Sequence, residues 1–390
     1  MKILHTSDWH LGAKIEGKDR LDEQEKVLNE IVKIADDFDV SAIIIAGDIF
    51  HNKMPQAAAE DLFFRTVEKL SDNGNRLVFV LSGNHDDPER LGAGKPLAER
   101  FNILLATDLN SIDISRTKVD SRSRVIDAGE GFVKFKRGDE FATIAFLPFL
   151  SNNLAKELGG QETFQSSFEA LSKNVCKHFS SDSFNVFVSH AFLSGAKLAD
   201  GSKVSVGDSL ALSLKNLPDN AHYIALGHLH SAQKIGSNAY YSGAITELRV
   251  RDAEPQVLIV DGDNNGLKEV NKVALKNAIK ISEISVPNIA FAYKKINENA
   301  PEDYVYLTIC QESPIRQNDV NALRAQFPKI VNIKFISTQA KTNPQVIENF
   351  KAISDRELFS EFYKHVTGRE PSSELVELFL ECRGDQNAAD

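Results

Sequence analysis

Solid apolar runs alternate with helix-spaced apolar positions from residue 1 to about residue 105. Lys2–Thr6 reads as a short strand, and Ser41–Ala46 and Arg76–Leu81 carry apolar residues at nearly every position, the pattern of strands buried on both faces. Between the first two, Val27, Leu28, Ile31, Ile34, Ala35 and Phe38 recur at helical spacing. A second helix is expected over about Ala57–Asp72, with Leu62, Phe63, Val67 and Leu70 inward. Helices joining consecutive strands this way are crossovers of a parallel sheet.

From about 110 to 150 the pattern changes to short alternating segments, Arg124–Ile126, Gly131–Lys136 and Phe141–Leu147, which predict antiparallel strands and so a mixed sheet system. A helix near Phe164–Phe179 follows, then a strand over Phe184–His190 and a polar loop over Ser194–Asp208. Strand segments over His222–Gly227, Ala239–Gly243 and Gln256–Asp261 complete a first domain, placed at residues 1–265. Gly262–Gly266 reads as a turn-rich joint.

A small α+β domain is expected at 266–340, with strands over Asp303–Ile309 and Lys329–Ile336 and a helix near Gln317–Gln326. Residues 341–390 read as a linker around Lys341–Pro344 and two short amphipathic helices. Ser354–Glu357 is a capping box for the first, with Leu358, Phe359, Phe362, Tyr363 and Val366 as its apolar stripe. Gly368–Pro371 breaks it, and Leu375, Val376, Leu378 and Phe379 mark the second. Two readings stand for this pair: packing on its own domain, or docking in a partner's groove.

Composition narrows the class. Hydrophobic residues make up 42% and charged residues 26% of 390, ordinary values for a soluble chain with a sizeable core. No apolar run reaches the roughly 18 residues of a membrane span. The chain enters its first strand without a signal-peptide pattern, and Cys176, Cys310 and Cys382 are scattered without metal spacing. A reducing, cytoplasmic address is expected. The net charge of −10 favours solubility and leaves any affinity for nucleic acid to local basic patches or bound cations.

The chemistry gathers where the strands end. Asp8 and His10 follow the first strand, and alternation of side chains along an extended chain would present them together. Gly47-Asp48 ends the second, Gly83-Asn84-His85-Asp86 the third, His190 a fourth and Gly227-His228-Leu229-His230 a fifth. Ligands collect at such strand ends in α/β sheets. The candidate metal ligands are Asp8, His10, Asp48, Asn84, His190, His228 and His230, all oxygen or imidazole donors. That set suits manganese, iron, zinc or magnesium, and it is too large for one ion that keeps an open position. Two ions bridged by Asp48 would use it, about 3.5–4 Å apart, as in two-metal phosphoester hydrolysis. His85 is placed to stabilise transition-state charge or protonate a leaving oxygen, and His51 to assist from the neighbouring strand end. His5, His178, His222 and His365 read as bystanders. Leu91–Pro96 mimics a phosphate loop but lacks its first glycine and its Ser/Thr.

The ordered set Asp8-x-His10, Gly47-Asp48, Gly83–Asp86, His190 and Gly227–His230 resembles the calcineurin-like metallophosphoesterase superfamily. The flanking residues, Leu4–Gly12, Ala46–Phe50, Ser82–Asp86, Ala225–His230 and Tyr241–Gly243, resemble the SbcD-type repair nucleases. The resemblance covers residues 1–265 strongly; 266–340 resembles that family's capping domain in position and size, and Leu358–Tyr363 resembles bacterial members.

The fold it implies is α/β (α+β): a mixed β-sandwich flanked by helices, with a capping domain and C-terminal helices. It implies one ion on Asp8, His10, Asp48 and His230, a second on Asp48, Asn84, His190 and His228, with manganese preferred, and His85 as catalytic acid or transition-state stabiliser. His51 stands where many bacterial members carry aspartate and archaeal and eukaryotic members histidine, and it reads as a second active-site histidine. The implied activity is degradation of double-stranded DNA ends, 3′ to 5′, and opening of hairpins. The implied partners are an SbcC-type coiled-coil ATPase, which would supply ATP use, and a second copy in a homodimer. DNA-bound molecules would sit at the nucleoid.

A phosphomonoesterase or cyclic-nucleotide phosphodiesterase is the competing expectation. The phosphoprotein phosphatases of the superfamily carry an arginine soon after Gly-Asp, whereas Ile49, Phe50, His51, Asn52 and Lys53 follow here. A scaffold without metals is the other, and it would show broken ligands.

Overall fold

The structure, a computed structural model, describes residues 1–196, 211–299 and 302–338, together with 356, 359–360, 362–364, 369–376 and 379. The capping box Ser354–Glu357 apart from Arg356, Leu358, Val366, Leu378, His365, Cys382, the linker around Lys341–Pro344 and most of the Ser194–Asp208 loop lie outside them.

Two sheets face each other. The first has six strands, ordered Gly266–Ala274, Gln256–Asp263, Lys2–Thr6, Ala42–Ala46, Leu77–Leu81 and Ile103–Ala106. Its last four run parallel, while Gln256–Asp263 lies antiparallel to both its neighbours. The second has seven: Gln233–Ile235, Ala239–Tyr241, Tyr223–Gly227, Ser183–His190, Glu140–Leu147, Phe132–Arg137 and Ser123–Gly129. Its centre is parallel and its two ends are antiparallel.

Strand periodicity explains the layers. Ile3, Ala42, Ile44, Phe79 and Leu81 project to one face and pack between the sheets with Phe135, Ile144, Phe146, Val186, Val188 and Ala225. Their neighbours Leu4, Ile43, Ile45, Val78 and Val80 project the other way, against Val27, Leu28, Ile31, Leu62, Phe63 and Val67 of helices Leu21–Asp37 and Ala57–Leu70. On the far side of the second sheet, Phe187 and Leu226 pack on Phe168, Leu171 and Val175 of helix Phe164–Val175. The result is the mixed sandwich flanked by helices that was expected.

Gly262–Gly266 turns out to be a hairpin rather than a joint. Asp263 pairs with Gly266, and Gly266–Ala274 returns along the first sheet, so that sheet runs a whole strand beyond residue 265. A three-stranded sheet follows, Ile281–Val286, Tyr304–Gln311 and Ile330–Ser337, with helices Ile289–Asn299 and Gln317–Gln326. Glu247 and Glu23 accept from Ile281 N and Ile279 N at 2.6 and 2.9 Å, and the Arg20 guanidinium lies over the Tyr304 ring. Residues 1–310 and 314–336 form one compact unit. Residues 311–313 and 337–390 form a second, in which the Phe359 and Phe379 rings stack 4.2 Å apart. Among the described residues no helix is long and apolar enough to cross a membrane.

Candidate metal centre

Strands from both sheets end at one place, and their loops are locked to each other through the backbone. Asp8 N donates to Gly47 O, His10 N to Asp48 O and Leu11 N to Ile49 O, at 2.9, 3.0 and 2.9 Å. Asp8, His10 and Asp48 all take left-handed backbone conformations, with φ of 53°, 44° and 52°, and His228 has φ 104°. Such backbone is costly for residues with a Cβ and clusters at functional sites. It also corrects the expectation from sequence: tight left-handed turns, not β alternation, bring Asp8 and His10 together. Trp9, between them, is turned into the helix-side core, its Nε1 donating to Thr6 Oγ1 at 3.0 Å.

All seven expected ligands converge. His190 Nε2 and His228 Nδ1 each lie 2.9 Å from Asn84 Oδ1. His190 Nε2 also lies 3.4 Å from Asp48 Oδ1, while His10 Nε2 lies 3.7 Å from Asp48 Oδ2 and 3.1 Å from His230 Nε2. Donor atoms of Asp8, His10 and His230 fall within 4.8 Å of one another, as do those of Asp8, Asp48 and His190. Octahedral donors about 2.1 Å from an ion stand about 3 Å from their neighbours. The observed separations fit such shells, and the two Asp48 oxygens face different histidines, a placement from which one carboxylate can serve two ions. The donor set is therefore suited to a pair of divalent ions.

The histidine tautomers agree. His190 Nδ1 faces Ala46 O at 2.9 Å, which makes it the N–H donor and turns Nε2 toward Asn84 and Asp48 as the nitrogen available to an ion. Burial opposes a charge on His190, but the adjacent Asp48 and Asp8 carboxylates outweigh it and push its pKa up to about 9. Burial alone would raise Asp48; His190, His10 and the His85 N–H hold it below its usual value. Burial raises Asp8 and lowers His10, and it takes His228 down to about 4 with help from His190. Metal binds neutral imidazole and ionised carboxylate, so an ion entering this site would displace the proton that His190 holds beside Asp48 in the ion-free chain.

His85 and His51 sit beside this cluster. His85 N donates to Asp48 Oδ1 at 2.9 Å, and its Nδ1 lies 2.7 Å from His51 O, so Nδ1 donates and Nε2 is the ring's free nitrogen. Its ring stands edge-on to His10 at 4.9 Å and stacks with His51 at 6.0 Å. A donor atom of His85 also comes within 4.8 Å of those of His10 and Asp48, so these three could share an ion. Gly83 makes this approach possible, because a Cβ there would overlap Asp48.

Several supporting residues went unassigned in the sequence. The buried Asp86 carboxylate accepts from Gly83, Phe50 and Ile49 N–H at 2.8, 3.0 and 3.2 Å, tying two of the loops together. Ser7 donates to Asp8 and lies 2.8 Å from Ser242 Oγ. Tyr241 OH donates to Ala191 O at 2.6 Å and accepts from Leu193 N at 3.0 Å, fixing the backbone after His190. Asp86 and Tyr241 lie inside the quoted motifs, which was the available signal. The bystanders have ordinary contacts: His5 Nδ1 with Tyr223 OH at 2.8 Å, His178 stacked on Phe132, and His222 on Phe184. Lys95 of the false phosphate loop donates to Thr107 Oγ1 at 2.7 Å.

Comparison with known proteins agrees with this geometry. The model of the calcineurin-like phosphoesterase family matches residues 1–232. The SbcD subunit of nuclease SbcCD from Bacillus subtilis is 30% identical over 391 residues, covering 98% of this chain and 97% of that protein. The same subunit from Staphylococcus epidermidis is 25% identical over 373 residues, covering 94% of each. The chain belongs to the calcineurin-like phosphoesterase family and, within it, to the SbcD-type nucleases, metal-dependent hydrolases of phosphodiester bonds.

Proposed function

We propose that the chain is a manganese-dependent DNA nuclease that digests double-stranded ends 3′ to 5′ and opens hairpins, working with an SbcC-type coiled-coil ATPase. The observation that carries the metal assignment is the Asp48 carboxylate, with one oxygen toward His190 and the other toward His10. In this reading Asp8, His10, Asp48 and His230 hold one ion, and Asp48, Asn84, His190 and His228 the other. The chemistry supplied by bound ions is an acidified water and charge neutralisation at the phosphoryl oxygens.

The chain's own groups do the rest. Asn84 contributes a neutral carbonyl, so less negative charge faces an anionic substrate. The Ala46 carbonyl fixes the His190 ring, and the Asp86 carboxylate fixes the loop that carries Asn84 and His85. With Nδ1 committed to the His51 carbonyl, His85 Nε2 is the atom that, once protonated to give the imidazolium, delivers that proton to the leaving oxygen and returns to the neutral ring. The His51 ring stacks on His85 and limits its rotation. The relatives' name, which makes them part of SbcCD, supports the ATPase partner; a homodimer and a cytoplasmic, nucleoid-associated location belong to the same reading.

The test is digestion of end-labelled duplex and hairpin DNA with manganese, beside an aryl phosphate ester, by wild type and His85→Ala. The reading predicts shortening from 3′ ends, lost in the variant. Ester turnover with DNA left intact, with or without the ATPase, would favour the phosphatase alternative.

A further inference from the structure

We propose that Arg249 grips a phosphate of the substrate strand next to the metal centre, on the side of the three-stranded sheet. The inference rests on the nuclease reading and names a residue that decides polymer over small ester.

Arg249 lies on a tight turn after Glu247. Asp252 Oδ2 accepts from both Leu248 N and Arg249 N at 2.8 Å, and Asp252 N donates to Arg249 O at 3.2 Å. Arg251 in the same turn is held at φ 65°, a conformation rare outside glycine. A turn so braced presents its side chains from a fixed base. Arg249 lines a cleft of about 440 Å³ together with Asp48, Asn84, His85, His228 and His230. A neighbouring cleft of about 750 Å³ shares Val250, Arg251 and Asp252 and continues along Lys280–Ser285. The turn therefore stands between the metal centre and a channel beside the three-stranded sheet.

The two arginines differ in their partners. Arg251 is ion-paired with Glu283 at 3.1 Å, whereas Arg249 is exposed and its guanidinium makes no hydrogen bond or ion pair among the described residues. An unpaired guanidinium beside a site that hydrolyses phosphodiesters matches phosphate in shape and charge, since its planar fork can make two parallel hydrogen bonds. A strand crossing the turn would bring a second phosphate to Arg249, whereas an aryl ester carries only the one phosphate that the metal centre holds. Because the Arg249 side chain supports nothing in the fold, its removal isolates substrate binding.

The experiment uses the full manganese-loaded chain with a labelled blunt duplex and an aryl phosphate diester. Arg249→Ala is expected to raise KM for duplex about tenfold, to raise the ratio of duplex KM to ester KM similarly, and to make the salt dependence of duplex binding shallower by about 0.9. Arg249→Lys should restore the salt dependence while recovering KM only in part, because lysine lacks the fork. Unchanged duplex KM and salt dependence in Arg249→Ala would overturn the inference and leave the nuclease reading standing. An equal rise of both KM values would also overturn it, showing a structural role. A wild type that turns over the ester yet neither binds nor cuts duplex would refute the nuclease reading, and this assignment with it.

Discussion

Gly227→Ala is the sharpest test of how the two sheets build the centre. Gly227 ends the strand Tyr223–Gly227 where the second sheet meets the end of Ala42–Ala46 in the first. A Cβ there would overlap the Ala46 carbonyl oxygen and lie 2.8 Å from His190 Nδ1 and 2.9 Å from Ala46 C. Neither neighbour yields cheaply, since one is backbone inside a sheet and the other is a ring whose Nδ1 is bonded to that same carbonyl at 2.9 Å. Overpacking of this kind costs about 1–3 kcal/mol, and weakening a buried hydrogen bond adds about 1 kcal/mol. The variant should therefore lose about 2–4 kcal/mol in urea unfolding of the metal-free protein. Moving His190 by about 1 Å should also lower phosphodiester turnover roughly a hundredfold. Gly92→Ala is the control, because its nearest neighbours at 3.3–3.4 Å are the end of the flexible Lys95 side chain; it should stay within about 0.5 kcal/mol. A Gly227→Ala protein with wild-type stability and turnover would refute the claim that the sheets touch here.

Three further outcomes are expected. His5 is buried and its pKa is lowered from 6.5 to about 3 by desolvation, so the unfolded chain binds a proton that the fold does not; stability is lost as pH falls below 6.5, by about 1.4 kcal/mol per pH unit. His5→Gln should flatten urea-derived stability between about pH 6 and 4 by that slope, and an unchanged slope would count against a neutral buried His5. Tyr241→Phe should cost about 1–3 kcal/mol in the same assay, because Ala191 O and Leu193 N lose their shared partner; a neutral result would contradict the hydrogen bonds described. Burial pushes the Cys176 thiol up to about 12, so at about pH 8 only about one molecule in ten thousand is thiolate, and native alkylation followed by mass spectrometry should find Cys310 modified well before Cys176.

The site was legible because its chemistry is local in sequence. Each strand end carries its ligands within a few residues, and Ala42–Ala46 and Leu77–Leu81 are apolar enough on both faces to be recognised without knowing their neighbours. What escaped depends on distant pairing. Ile281–Val286 reads Ile-Ser-Glu-Ile-Ser-Val, whose apolar residues at 281, 284 and 286 break the two-residue period, and it becomes a strand through its parallel register with Tyr304–Ile309. Helix Ile289–Asn299 buries only Ala292 and Ile296, so its apolar face is narrow. The turn at Gly262–Gly266 has the same residues whether it joins domains or closes a hairpin; the antiparallel register from Gln256 to Ala274 decides. The left-handed backbone at Asp8, His10 and Asp48 is only weakly marked in residue type: aspartate and histidine enter that region more often than most residues, yet most of them do not, and the contacts between the loops decide it.

The central claim is a pair of ions bridged by Asp48, and electron paramagnetic resonance of the manganese-loaded chain tests it most directly. Two ions about 3.5–4 Å apart share a carboxylate and couple magnetically. The account predicts a coupled dinuclear spectrum at two manganese per chain, converted by Asp48→Ala to uncoupled or absent signal. A six-line spectrum of isolated manganese at one ion per chain in the wild type would contradict it.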